Sequence, residues 1–183
     1  LFELQRRLRQ HEYHVLHFVG HALYNSQAEE SFLVLEDEQG RGRLVGGAHL
    51  GGILRDHFSL RLVLLNSTGA WQPLPREPFT HIAYSLVKRG LPMAIALPYE
   101  LTDRAALAFH YDFYSRIAQG EAVDVAVAEA RRAMLADVAG IEWSAPVLVN
   151  RVQDGRLFDI LPHDSAERNM SSSAAERYAA YKR

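Results

Sequence analysis

Three runs of near-continuous apolar residues constrain this chain more than any other feature. They are "HVLHFVGH" (14–21), "SLRLVLLN" (59–66) and "LPMAIALPY" (91–99). Each has the length of a strand and falls short of the ~20 residues a membrane helix needs, and the first is rich in β-formers. A strand with little polar alternation has to be buried on both faces. Between these runs lie segments whose apolar residues recur at helical spacing. Strands alternating with helices predict an α/β fold, a mostly parallel sheet with helices on both faces.

The remaining elements follow from local signals. Leu1, Leu4 and Leu8 predict an amphipathic helix over 2–11. "SFLVLEDEQGRGRLVGG" (31–47) reads as a hairpin turning at Gln-Gly-Arg-Gly, and 48–57 as a short helix. Residues 78–90 form a helix stopping at Gly90. A long helix over 101–120 takes Thr102 or Asp103 as N-cap and ends at Gly120, and another follows at 121–138. "APVLVN" (145–150) is a fourth apolar strand and "GRLFDI" (155–160) a short last one.

A chain of 183 residues suits one domain with a sizeable core. Its net charge of -2 gives no pull toward nucleic acid or an anionic membrane. With no cysteine there is neither a disulfide framework nor a thiolate for zinc, which fits an intracellular, cytoplasmic setting. The start at Leu1 instead of Met, already mid-helix, reads as a piece of a longer polypeptide, a domain lacking its N-terminal part. Residues 1–160 form the domain, and 161–183 read as a polar linker or tail.

In such sheets ligands sit beyond the carboxyl ends of the strands. Two ends carry chemistry: one run closes with Gly20-His21, the other with Asn66-Ser67-Thr68. As neighbours in the sheet they would set an imidazole beside a hydroxyl. His17, inside its strand, reads as a hydrogen-bonded core histidine, and with His21 it makes no convincing metal pair. His21 at the rim is either structural or a base. Ser67 and Thr68 read equally as turn residues bonding their own backbone, and no GxSxG motif is present. Asp103 is first a helix N-cap. Phe109, Tyr111, Phe113 and Tyr114 are mostly core packing, and the other histidines surface or structural. A small-molecule binder of doubly wound type is disfavoured, because no Gly-rich loop follows the first strand.

Together, "HVLHFVGHA" (14–22), "FLVLEDEQG" (32–40), "LRLVLLNS" (60–67), residues 101–120, "VAVAEARRAM" (125–134) and "EWSAPVLVNRVQDGRLFDI" (142–160) resemble the CHAT family. These are caspase-like peptidase domains related to caspases, separases and gingipains. The resemblance covers roughly residues 1–160 in order. It implies a caspase-like cysteine endopeptidase acting on protein or peptide substrates through a Cys-His dyad, with His21 as general base. The oxyanion hole would use the backbone N–H of Ala22, where the family often has Gly, and that of the nucleophile. By the same resemblance, Asp103 with Glu100 would prefer Arg or Lys at P1, although Pro98 departs from the family. Trp71, in the loop after the nucleophile, would line the groove. No cofactor is implied. Regulatory or sensor domains, often in bacterial signalling or defence, are the implied partners.

One element of the pattern is missing. The family cysteine is followed by one variable residue and then Gly-Ala. Here "LNS" runs straight into "TGA", so Thr68, Gly69 and Ala70 match and the cysteine has no counterpart. The resemblance therefore expects a cysteine between Ser67 and Thr68, oxidised or inhibitor-bonded and so left out of the written sequence. The alternative is a gapless reading in which Thr68 or Ser67 occupies the nucleophile position and the domain is an inactive binding or scaffold module.

Overall fold

The structure is a computed structural model and describes residues 1–68, 77–137 and 140–160. In chain order the elements are α1 (Phe2–Gln10), β1 (Val15–Gly20), β2 (Ala22–Asn25), β3 (Glu30–Glu36) and β4 (Gly42–Gly46). Then come α2 (Gly47–Arg55), β5 (Leu62–Ser67), α3 (Pro78–Lys88), β6 (Met93–Leu97), α4 (Asp103–Ala118) and α5 (Val123–Asp137). A short 3-10 turn, Glu142–Ser144, leads into β7 (Val147–Asn150). The main sheet has the order β1-β5-β6-β7, with β1, β5 and β6 parallel and β7 antiparallel to β6. A second sheet, β2-β3-β4, is antiparallel. The fold is α/β, mostly parallel in its main sheet.

Side-chain alternation along the central strands divides the core into two layers. Leu62, Leu64, Met93, Ile95 and Leu97 face α4 and α5, where Phe109, Phe113, Ala126, Ala130 and Met134 meet them. Val63, Leu65, Ala94 and Ala96 face the other way, toward Leu50, Leu54, Phe79, Ile82 and Leu86 of α2 and α3. Leu8 of α1 joins the second layer. Every residue of β6 and the first four of β5 are fully buried, as their unbroken apolar runs require.

The expected helix stops are confirmed in detail. Gly90 adopts φ +119 and Gly120 φ +79. Gly90 N–H donates to Val87 O and Leu91 N–H to Leu86 O, while Gly120 N–H and Glu121 N–H repeat the pattern on Ile117 O and Arg116 O. Both are Schellman closures, which need the left-handed backbone glycine supplies.

Four expectations change. The run 14–21 ends as a strand at Gly20, and the chain passes through His21 into β2, a strand the pattern did not separate. "GRLFDI" forms no strand: Gly155 turns at φ +68, its carbonyl accepts the Val123 N–H, and Leu157 is buried against the first core layer. This segment is held by side-chain packing and helix-end bonding, not by a ladder. Thr102, not Asp103, caps α4, its Oγ1 accepting the Ala105 N–H at 3.3 Å. His17 is no core residue. It is exposed on β1, an edge strand of the main sheet, although it is hydrogen bonded as expected, its Nδ1 3.0 Å from the Tyr114 hydroxyl.

His110 of α4 lies under His17, half-buried. Loss of hydration, with the neighbouring His17 imidazole adding to it, lowers its pKa to about 4, and burial pushes the Tyr114 phenol up to about 12. Unfolded, His110 titrates near the ordinary ~6.5. The unfolded chain therefore takes up this proton first, so stability is full above about pH 6.5 and declines through the window down to about 4. His17, exposed at the edge of the sheet but partly dehydrated where its ring meets Tyr114 and His110, is lowered too and acts in the same direction. Urea denaturation of metal-free protein at pH 7, 6, 5 and 4.5 should show this decline. His110→Gln should flatten it whatever the variant's absolute stability; an unchanged slope would remove His110 as its cause.

Candidate active site at the carboxyl ends of β1 and β5

The parallel register pairs Gly20 with Ser67, so β1 and β5 end level. The ladder continues one step further, with Thr68 N–H donating to Gly20 O at 3.0 Å. This places Thr68 Oγ1 3.3 Å from His21 Nδ1, both side chains exposed. The two chemically loaded strand ends thus form one imidazole–hydroxyl pair. At 3.3 Å the contact is long for a hydrogen bond, as in many sites without a bound substrate.

His21 is the one residue between β1 of the main sheet and β2 of the second sheet. Its carbonyl accepts the Val34 N–H of β3 at 2.9 Å, and the preceding carbonyl, Gly20 O, accepts from Thr68. The backbone on which the imidazole stands is therefore fixed on both sides. Antiparallel ladders alternate bonded and non-bonded pairs. Because Val34 bonds His21, the next pair, Ala22 with Leu33, is non-bonded, and the Ala22 N–H is directed away from β3. Of the two expected oxyanion donors, the Ala22 N–H is thus not engaged with β3. The second expected donor is committed elsewhere, since the Thr68 N–H belongs to the ladder.

Ser67 is 8% exposed. By strand alternation it shares the inward face of Val63 and Leu65, leaving Thr68 as the hydroxyl presented beside His21. Asn66 alternates to the α4 side, and its Oδ1 is buried without a hydrogen-bond partner among the described residues. The sequence reading gave Asn66 no role of its own. Its signal was a polar amide closing an otherwise apolar buried strand, and a buried acceptor without a donor calls for a ligand or a purpose.

Leu97 pairs with Asn66, so the segment 98–102 leaves the same end of the sheet. Glu100 and Asp103 are both exposed there, Asp103 in the first turn of α4. Glu142 holds this segment: its Oε1 accepts the Thr102 N–H at 2.6 Å and its Oε2 the Thr102 hydroxyl at 3.1 Å. The structure thus brings His21, Ala22, Ser67 and Thr68 together and puts Glu100 and Asp103 at the same sheet end. Trp71, with Gly69 and Ala70, lies outside the described residues, as does the tail expected over 161–183.

The mostly parallel sheet with helices on both faces is an α/β fold, with His21 just beyond the end of β1 and Ser67–Thr68 at the end of its neighbour β5. The CHAT domain model matches residues 2–151 of the 183, and the chain belongs to that family. No curated protein matches it. No helix among the described residues is long and apolar enough to cross a membrane.

Thr102→Ala removes the helix cap and the hydroxyl bond to Glu142, and leaves the backbone N–H bond to Glu142 in place. It should lower stability by about 1 kcal/mol, the usual worth of a lost N-cap, read by urea denaturation. No change would mean that the cap and the hydroxyl bond contribute nothing net.

Proposed function

We propose that this domain is the endopeptidase module of a caspase-like protein, with His21 as general base and the position directly after Ser67 as the nucleophile's. The observation that carries the reading is the β1–β5 register, which sets that position against the imidazole. With a cysteine there, His21 takes the thiol proton and the thiolate attacks the scissile carbonyl. The Ala22 N–H faces the resulting oxyanion, and His21 returns the proton to the leaving amine. Water then hydrolyses the thioester and regenerates the thiol. At the same sheet end the unpartnered Asn66 Oδ1 and the carboxylates of Glu100 and Asp103 would complement a cationic, hydrogen-bond-donating side chain. This supports Arg or Lys before the cut. The natural partners on this reading are a protein substrate and regulatory domains or proteins, in the cytoplasm.

A specific observation favours a second reading. The chain contains no cysteine, and Thr68 occupies the nucleophile position with unbroken ladder bonding. An imidazole alone activates a hydroxyl far less readily than a thiol. In that form the site holds a peptide without cleaving it.

Mass spectrometry of the tryptic peptide 62–76 from the native protein separates the two, since an extra cysteine mass between Ser67 and Thr68 identifies the peptidase. In parallel, a variant with cysteine inserted after Ser67 should cleave fluorogenic peptides with Arg or Lys at P1. His21→Ala in that background should cost about 10²–10⁴ in rate, the usual worth of a general base. A folded insertion variant inactive on basic, acidic and apolar P1 peptides alike would overturn the endopeptidase reading.

A further inference from the structure

We propose that His17 and His110 form a binding site for a divalent transition-metal cation, with water completing the coordination. The site is separate from the candidate active site. His17 precedes His21 by four strand residues, roughly 13 Å along β1.

The two imidazoles come from different elements, the edge strand β1 and the middle of α4, and their ring centres lie 5.0 Å apart at an interplanar angle of 45°. Two imidazoles sharing one tetrahedral ion through nitrogens at about 2.0–2.1 Å have centres roughly 5 Å apart, so a shared ion fits this spacing. The second nitrogen of each ring is already held. His17 Nδ1 lies 3.0 Å from the Tyr114 hydroxyl. His110 hydrogen bonds to the Ala106 backbone, and because its Nε2 is buried without a partner, the bonded nitrogen is Nδ1. Each ring therefore keeps Nε2 uncommitted while a phenol or a carbonyl fixes its orientation. Metal-binding histidines are supported in this way, one nitrogen on the ion and the other on an outer group.

The orphaned Nε2 of His110 has no explanation in packing alone, since a buried polar atom without a partner is costly. His17, exposed on the edge strand, gives an ion access, and Val19 beside it on the same face is 55% exposed. No set of three or more His, Cys, Asp or Glu side chains able to hold a metal occurs among the described residues, so the protein offers two nitrogen ligands. That donor set suits Zn²⁺, Ni²⁺ or Cu²⁺ and not the oxygen-seeking Ca²⁺ or Mg²⁺.

Isothermal titration of the full chain with ZnCl₂ and NiCl₂ at pH 7.5 should give one ion per chain. His17→Ala and His110→Gln should each weaken binding at least about tenfold. Tyr114→Phe, which leaves both ligands in place, should weaken it about 10–100-fold through loss of the outer hydrogen bond. Circular dichroism in EDTA checks that the variants fold. On the unaltered chain, NMR should show the His17 and His110 ring resonances shifting together with added Zn²⁺. Undiminished affinity in the His17→Ala/His110→Gln double variant would assign binding to the other seven of the nine histidines and overturn the proposal. So would the absence of Zn²⁺ or Ni²⁺ binding at millimolar concentration.

Discussion

The parallel pairing of β1 with β5 is the constraint on which the rest of the molecule depends. Because side chains alternate, a slip of one residue would turn every side chain of β1 to the opposite face. Leu16 and Phe18 would leave the layer of α2 and α3, and Val15 the layer of α4 and α5. Burial of these apolar side chains fixes the register, and the register fixes Gly20 opposite Ser67. The hydrophobic pattern of two strands thus determines which groups meet at their ends, without any polar interaction having to choose.

The same ends are stiffened by where the chain goes next. His21 stands between a parallel and an antiparallel sheet, with its own carbonyl bonded to one and the preceding carbonyl to the other. A side chain carried on two rigid ladders is better positioned than one on a loop. Gly20 has a packing reason as well. A Cβ there would come within 2.8 Å of the Phe18 ring, which packs near Phe79 on α3. The glycine before the histidine keeps that ring in the core while the backbone turns out of the sheet.

Much of this was legible before the structure. The apolar runs revealed the central strands, and Gly90 and Gly120 the helix ends, because burial on both faces and left-handed caps leave direct marks on sequence. The meeting of His21 with the Ser67–Thr68 turn required only that two strands be neighbours. What was not legible depended on strand order or on partners far apart in the chain. His17 looks like a core residue in its run, yet an edge strand exposes it. "GRLFDI" has the composition of a strand, but no free ladder takes it, and Gly155 and Leu157 anchor it otherwise. The link from Glu142 to Thr102 and the contacts of His17 with His110 and Tyr114 join residues between 40 and 97 positions apart. No local pattern encodes them.

The strand-end geometry bears on the cysteine that the family resemblance expects after Ser67. A residue inserted after Ser67 would inherit the position Thr68 holds, since the ladder continues by one N–H to Gly20 O and alternation presents the next side chain to His21. On the proposed reading, the occupant's own N–H stays in the ladder to Gly20 O, as that of Thr68 does, and the Ala22 N–H would be the remaining backbone donor to an oxyanion. One such donor is worth about 10²–10³ in rate. The remaining difference between cleaving and holding a peptide then rests on acidity, because a neutral imidazole can deprotonate a thiol but leaves a threonine hydroxyl largely intact. On the proposed reading, a single residue therefore separates a peptidase from a peptide holder with no change to the core that positions it.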